Sequence, residues 1–202
     1  MSTLASLVRD IDAVVIGASA GGVEVMSVLL AKLPALCRLS FMVVMHIPRA
    51  RPSLLPKVFS ARCLLPIREA EDKEPVQPGT VYFAPPDYHL LIDRGPALAL
   101  SDDDPVHFSR PSIDVLFESA ADIYRERLMG IVLTGANRDG ATGLATIARA
   151  GGRTIVQDPS SAAASYLPKA ALQEGPVDAV LSLQELQELF SSLGGRVGRL
   201  VE

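Results

Sequence analysis

The chain has little of what would tie it to a membrane, a polyanion or an oxidising compartment. Of its 202 residues only Cys37 and Cys63 are cysteines. Two thiols make no disulfide framework, so a reducing compartment is the default and the expected location is the cytoplasm. No apolar run approaches the roughly 18 residues that a membrane span requires. The amino-terminal MSTLASLVRDID carries Arg9, Asp10 and Asp12 and is no secretory signal. Positive charge is not in excess: 19 Lys and Arg against 23 Asp and Glu give a net charge of −4. A broad basic field for nucleic acid is thereby excluded. Histidine is scarce, three in all. With no His/Cys cluster in view, neither a metal nor another cofactor is expected. Internal repeats and low-complexity segments are absent.

What is present is apolar content, 49% of the chain, enough at this length for one large domain with a substantial core. DAVVIG (12–17) is a continuous apolar run, the mark of a strand covered on both faces. Val23, Met26, Leu30 and Leu33 then recur at helical spacing, and Pro34 ends that helix. A second buried strand is expected over 40–48 and a short helix over 53–61. Segment 78–103 holds short β runs broken by Pro, Gly and Asp, which predicts a meander or hairpins. Helix, strand, helix, strand, helix, strand and helix follow over 110–128, 128–135, 140–151, 153–158, 167–175, 177–182 and 183–194. The alternation predicts an α/β fold: a doubly wound, mostly parallel sheet with helices on both faces and a small β-hairpin region mid-chain. Ligands on such sheets sit beyond the carboxyl ends of the strands. Three polar groups fall at such ends: Ser19, His46 and the Asn137-Arg138-Asp139 turn.

Gly17-Ala18-Ser19-Ala20-Gly21 satisfies G-x-S-x-G, in which small residues let a strand turn sharply into a helix and expose a serine hydroxyl. The backbone N–H groups at that helix start, near Ala20 and Gly21, are available to an oxyanion. The bland alternative is that Ser19 caps the helix. A dinucleotide loop is the other alternative, and it fails twice: position 19 is not glycine, and the next strand ends in Met45-His46-Ile47-Pro48 with no acid for a ribose. No Walker A lysine is present. A serine nucleophile needs a base and a group to orient it. His46 ends a strand expected to neighbour that of Ser19, whereas His89 begins a β run and His107 lies in a polar loop, so neither of these is expected to be the base. Asp139 stands before a glycine and a helical run. It reads as a helix N-cap that could also accept the imidazole N–H.

The motifs IGASAGG (16–22), MHIP (45–48), APPDYHL (84–90), RPSIDVLFESAA (110–121), LTGANRDGATGL (133–144) and YLPKAAL (166–172) together resemble the catalytic domain of the chemotaxis protein-glutamate methylesterase family. The resemblance runs from about Asp12 to Leu186. It implies a Ser19, His46, Asp139 triad and a doubly wound α/β sheet. The activity implied is hydrolysis of glutamate γ-methyl esters on the cytoplasmic helices of chemoreceptors, with a related glutamine deamidation. It also implies that the Ala136 N–H helps hold the oxyanion. The chain departs from the family pattern TGMGNDG, reading TGANRDG, so Ala136 replaces a methionine and Arg138 an asparagine. Ala20 stands where threonine is usual. Only about ten residues precede the first strand, so residues 1–202 are expected to form a single catalytic domain without a receiver domain. The alternative is a degenerate domain of the same fold that binds or regulates without turnover. Finally, Arg49 and Arg51 beside the expected base, with Arg110 and Arg138 near other motifs, predict a local positive rim that steers an acidic substrate.

Overall fold

A computed structural model describes residues 3–46 and 54–194. Seven strands form one parallel sheet: β1 Ala13–Ala18, β2 Ser40–Met45, β3 Ile67–Glu69, β4 Val81–Phe83, β7 Leu128–Val132, β8 Arg153–Gln157 and β9 Ala179–Leu181. Between β4 and β7 in the chain, β5 His89–Asp93 and β6 Ala97–Ser101 pair as an antiparallel hairpin. The sheet order is β3-β4-β2-β1-β7-β8-β9, and each neighbouring pair is parallel.

β1 is buried at every residue because it is central and covered on both faces. Val14, Ile16 and Ala18 face one core, with Val25, Met26, Leu29 and Leu30 of α2 (Gly22–Leu30) and Leu186, Leu189 and Phe190 of α7 (Leu183–Ser192). Ala13 and Val15 face the other. There they meet Ile113, Leu116 and Phe117 of α4 (Ile113–Tyr124), Leu144 and Ile147 of α5 (Ala141–Arg149), and Leu90, Ile92 and Leu98 of the hairpin. A residue period of two thus feeds two separate cores, each fully buried large side chain contributing about 1.5–3 kcal/mol. The remaining helices are α1 Thr3–Leu7, α3 Leu55–Ser60 and α6 Tyr166–Glu174.

The doubly wound parallel sheet and the mid-chain hairpin agree with the sequence reading. Two details differ. Val81–Phe83, expected within a meander, is instead an inner strand of the main sheet, and Ile67–Glu69 lies beside it as an edge strand. Three-residue strands are too short to show alternation, and only pairing defines them. No described helix is long and apolar enough to cross a membrane. From β1 the chain winds one way to β2 and, later, the other way to β7. The carboxyl ends of these three strands therefore border the switch-point crevice, where ligands bind in open α/β sheets.

Candidate active site

Ser19 and His46 are the first residues past β1 and β2, and the 134–140 turn begins two residues past the end of β7. Ala18 pairs with Met45 in the β1–β2 register, and the His46 amide donates to Ala18 O at 3.1 Å. Ser19 and His46 are thus the next residues along two adjacent strands, spaced about 4.8 Å apart in such a pair. The Ser19 amide donates to Thr134 O at 2.9 Å, tying the β1 end to the β7 end. Thr134 does further work: its hydroxyl donates to Ala20 O at 2.8 Å and accepts from the Ala164 amide at 2.8 Å. Its own amide donates to the buried Gln157 Oε1 at 2.9 Å. The sequence reading missed Thr134 and Gln157, whose only signal is a polar residue closing an apolar strand.

The turn after Ser19 needs Gly21, which has φ 78° and caps α2 without a side chain. A Cβ there would lie 2.7 Å from the Ala163 Cβ. Ser19 itself is half-buried, and among the described residues its hydroxyl makes no hydrogen bond. It does not cap α2. The amides of Ala20, Gly21 and Ala136 likewise find no acceptor among the described residues.

His46 and Asp139 come together: Nε2 lies 2.8 Å from Oδ2, with the His46 side chain 14% exposed and that of Asp139 fully buried. The expected role of Asp139 as cap of its own helix is not what the structure shows. α5 is capped by Gly140, without a side-chain bond. The carboxylate instead sits on the amino terminus of α4. Oδ2 accepts from the Ile113 amide at 2.8 Å, while Oδ1 accepts from Ser112 Oγ at 2.7 Å and the Asp114 amide at 3.1 Å. Ser112, the N-cap of α4, also accepts from the Val115 amide. A helix amino terminus presents unpaired N–H groups and positive potential, and an anion satisfies both. RPSIDVLF is therefore the seat of the acid. Gly140, at φ 108°, permits the close approach, since a Cβ there would lie 2.6 Å from Ile113 Cγ2.

Burial pushes the Asp139 carboxyl up, but the bonds from His46, Ser112 and the two amides outweigh it and hold the group below its ordinary range. Its neighbour Asp114 is pushed up to about 6, chiefly by burial, with Asp139 adding to the rise and the Gly143 amide and His107 opposing it. Of these two carboxyls, Asp139 stays ionised because it has four donors, and Asp114 takes a proton first.

The other histidines are occupied elsewhere. His89 Nδ1 accepts from the Ser112 amide at 3.1 Å, so Nε2 carries the proton and donates to Asp104 O at 3.2 Å. His89 thus steadies the Asp139 seat. His107 Nε2 lies 3.5 Å from Asp114. Asn137, named in the sequence only as part of the turn, reaches His46: its Nδ2 lies 3.4 Å from Nδ1. The expected positive rim is thinned. Arg138 pairs with Glu174 at 3.1 Å, and Arg110 is bound to Asp87 and to Asp102 and Asp103 carbonyls. Arg49 and Arg51 lie outside the described residues. Among the described residues no group of His, Cys, Asp and Glu could hold a metal ion.

A histidine oriented by a buried carboxylate beside a strand-end serine, in a switch-point crevice, is a layout suited to hydrolytic acyl transfer. Comparison with known proteins narrows the class. The family model described as CheB methylesterase matches residues 14–190. A Leptospira interrogans protein, provisionally named protein-glutamate methylesterase/protein-glutamine glutaminase, is 44% identical over 182 residues, 90% of this chain and 94% of that protein. A Symbiobacterium thermophilum protein-glutamate methylesterase/protein-glutamine glutaminase is 35% identical, over 90% of this chain but only 50% of its own length. The crystal structure of the Thermotoga maritima CheB methylesterase catalytic domain superposes with a TM-score of 0.83 at 32% identity, covering 89% of this chain and 98% of that one. The chain belongs to the CheB methylesterase family, and is a hydrolase of that class.

Proposed function

We propose that the chain hydrolyses glutamate γ-methyl esters on the cytoplasmic helices of chemoreceptors, with Ser19 as nucleophile, His46 as base and Asp139 as its orienting acid. The observation that carries this reading is the 2.8 Å contact between His46 Nε2 and the buried Asp139 carboxylate, one rung from Ser19. Because Asp139 takes Nε2, Nδ1 is the nitrogen left to remove the Ser19 proton. Oγ attacks the ester carbonyl, and the amides of Ala20, Gly21 and Ala136 receive the oxyanion. The proton on His46 leaves with methanol. Water, deprotonated by the same histidine, then hydrolyses the acyl-enzyme to glutamate and free serine. Glutamine deamidation follows the same path with ammonia as leaving group. Residues 1–202 act as one catalytic domain in the cytoplasm, and Arg49 and Arg51 steer the acidic substrate.

The test is methanol release from methylated receptor membranes. The wild-type protein should release it and Ser19→Ala should not. Release by a folded Ser19→Ala protein at the wild-type rate removes the serine from the mechanism.

A further inference from the structure

The mechanism above leaves one atom of the base to be explained. With Nε2 bound to Asp139, the free lone pair of His46 is on Nδ1, and Nδ1 is not bare: Asn137 Nδ2 lies 3.4 Å away. The same Nδ2 donates to Ser109 Oγ at 3.3 Å. The other end of the amide, Oδ1, is buried and has no hydrogen-bond partner among the described residues. An orphaned buried acceptor costs about 1–3 kcal/mol, so the orientation of this amide needs a reason. Turning it by 180° would place Oδ1 against Nδ1. Asp139 fixes the neutral ring with its proton on Nε2, and an oxygen facing the Nδ1 lone pair would be repelled. The tautomer set by the acid therefore dictates which end of Asn137 faces the base.

We propose that Asn137 is a positioning residue that holds His46 through Nδ1, donating to the neutral base and withdrawing when the Ser19 proton arrives. The proposal rests on the reading of His46 as the base. It makes the ring a two-point mount, with Asp139 on one nitrogen and Asn137 on the other, and Ser109 as the second acceptor that keeps the amide in place. It also makes Asn137 a competitor of Ser19 for the same lone pair. The amide N–H can donate to Nδ1 only while that nitrogen keeps its lone pair, so the contact exists for the neutral ring alone. Other titratable groups near this junction are Asp139 itself, Asp114 next to it and His107 against Asp114. Asn137→Ala changes the charge of none of these groups, whereas Asn137→Asp adds a carboxylate on the far side of the ring from Asp139.

Two variants separate this role from a merely structural one. Asn137→Asp keeps the shape but replaces the donor with an acceptor of negative charge. Asn137→Ala removes the contact. Ring-nitrogen resonances of His46 are followed against pH in each full-length protein, alongside kcat/KM for a small methyl ester. In Asn137→Asp the pH at which the ring takes up its second proton should rise by about one unit or more, the scale for an opposite charge brought within reach. The acid limb of the kcat/KM profile should move with it. In Asn137→Ala both should rise by a few tenths, about what a twofold change in the equilibrium gives. A structural role would lower activity at every pH and leave the ring titration where it was. A ring titration in Asn137→Ala that coincides with the wild type would overturn the proposal whatever Asn137→Asp shows, because a carboxylate at that position raises the ring by charge alone. The ring measurement needs no turnover, so its failure is distinct from failure of the serine mechanism, which the Ser19→Ala protein reports separately.

Discussion

The turn after β1 and the turn after β7 both lead from the carboxyl end of a central strand into a helix, yet they are built in opposite ways. At the first, the backbone is tied down through Thr134 while the Ser19 hydroxyl has no partner among the described residues. At the second, the Asp139 carboxylate is fully buried and saturated by four donors. The difference separates two requirements. On the proposed mechanism the nucleophile has to be held in place yet free to react, which fits a position set by main chain and a side chain that is spared. An orienting acid never leaves its partners, so it can be spent as a structural anion at a helix terminus. Function and stability should therefore part company at Ser19 and coincide at Asp139.

The sharpest way to break the comparison is to change each residue and read both quantities. Ser19→Ala should lower methanol release by at least about a thousandfold, the scale for losing a nucleophile that works with its base as a unit. Its thermal midpoint should match that of the wild type, because no hydrogen bond is lost. Asp139→Asn should lose activity on a similar scale and stability as well. Every direction from which the carboxylate is approached brings a donor: Ser112 Oγ and the Asp114 amide on one oxygen, the Ile113 amide and His46 on the other. An amide NH2 in either place meets a donor, at about 1–3 kcal/mol for the group left unpaired. Calorimetry of the two variants side by side decides it. An Asp139→Asn protein as stable as Ser19→Ala would show that the acid is not spent as an anchor.

The same contrast explains what could be read from the chain. Ser19 and His46 were legible because each ends an apolar run, and parallel register then sets them side by side. Asp139 is legible as a carboxylate that could accept the imidazole N–H, and the family resemblance points to the same residue, but its seat is hidden. Position 139 precedes a helix, so local reasoning makes it a cap of α5, whereas its partners lie some 25 residues earlier at the start of α4. Thr134, Gln157 and Asn137 were hidden for the same reason: their bonds run between loops distant in sequence. β3 and the placement of β4 were missed because three-residue strands carry no period of their own.

A smaller effect concerns the two carboxyls at the α4 terminus, which respond to pH in opposite directions. Asp139 is held below its ordinary range, so its contribution is present above about pH 4, where unfolded aspartate ionises, and is lost as the pH falls through its folded value. Asp114 is raised to about 6. Between about pH 4 and that value the folded protein keeps a proton that the unfolded chain releases, so this site lowers stability as the pH rises. Asp114→Asn keeps an oxygen for the Gly143 amide, which Asp114 Oδ1 accepts at 2.6 Å. The variant should gain on the wild type by several degrees as the pH goes from 4 to 7, at the roughly 2–4 °C per kcal/mol expected for a domain of this size. Parallel stability curves across that range would mean that Asp114 is ionised throughout.

The smallest effect is expected at the rim. Arg138 follows Asn137 in the same turn, but its guanidinium leans away to Glu174, with both side chains well exposed. Exposed pairs of this kind contribute between nothing and about 1 kcal/mol. A charge already neutralised by its partner adds little to the field met by an approaching acidic helix. Arg138→Ala should therefore leave kcat/KM within about twofold on receptor membranes and on a small neutral ester alike. Arg49→Glu combined with Arg51→Glu should behave differently if those residues steer: a loss on receptor membranes at low salt, shrinking as salt shortens the screening length to about 8 Å, with the neutral ester unaffected. An Arg138→Ala protein whose receptor activity falls in a salt-dependent way would show that the Glu174 pair opens during encounter. The positive rim would then extend to the turn that holds the acid.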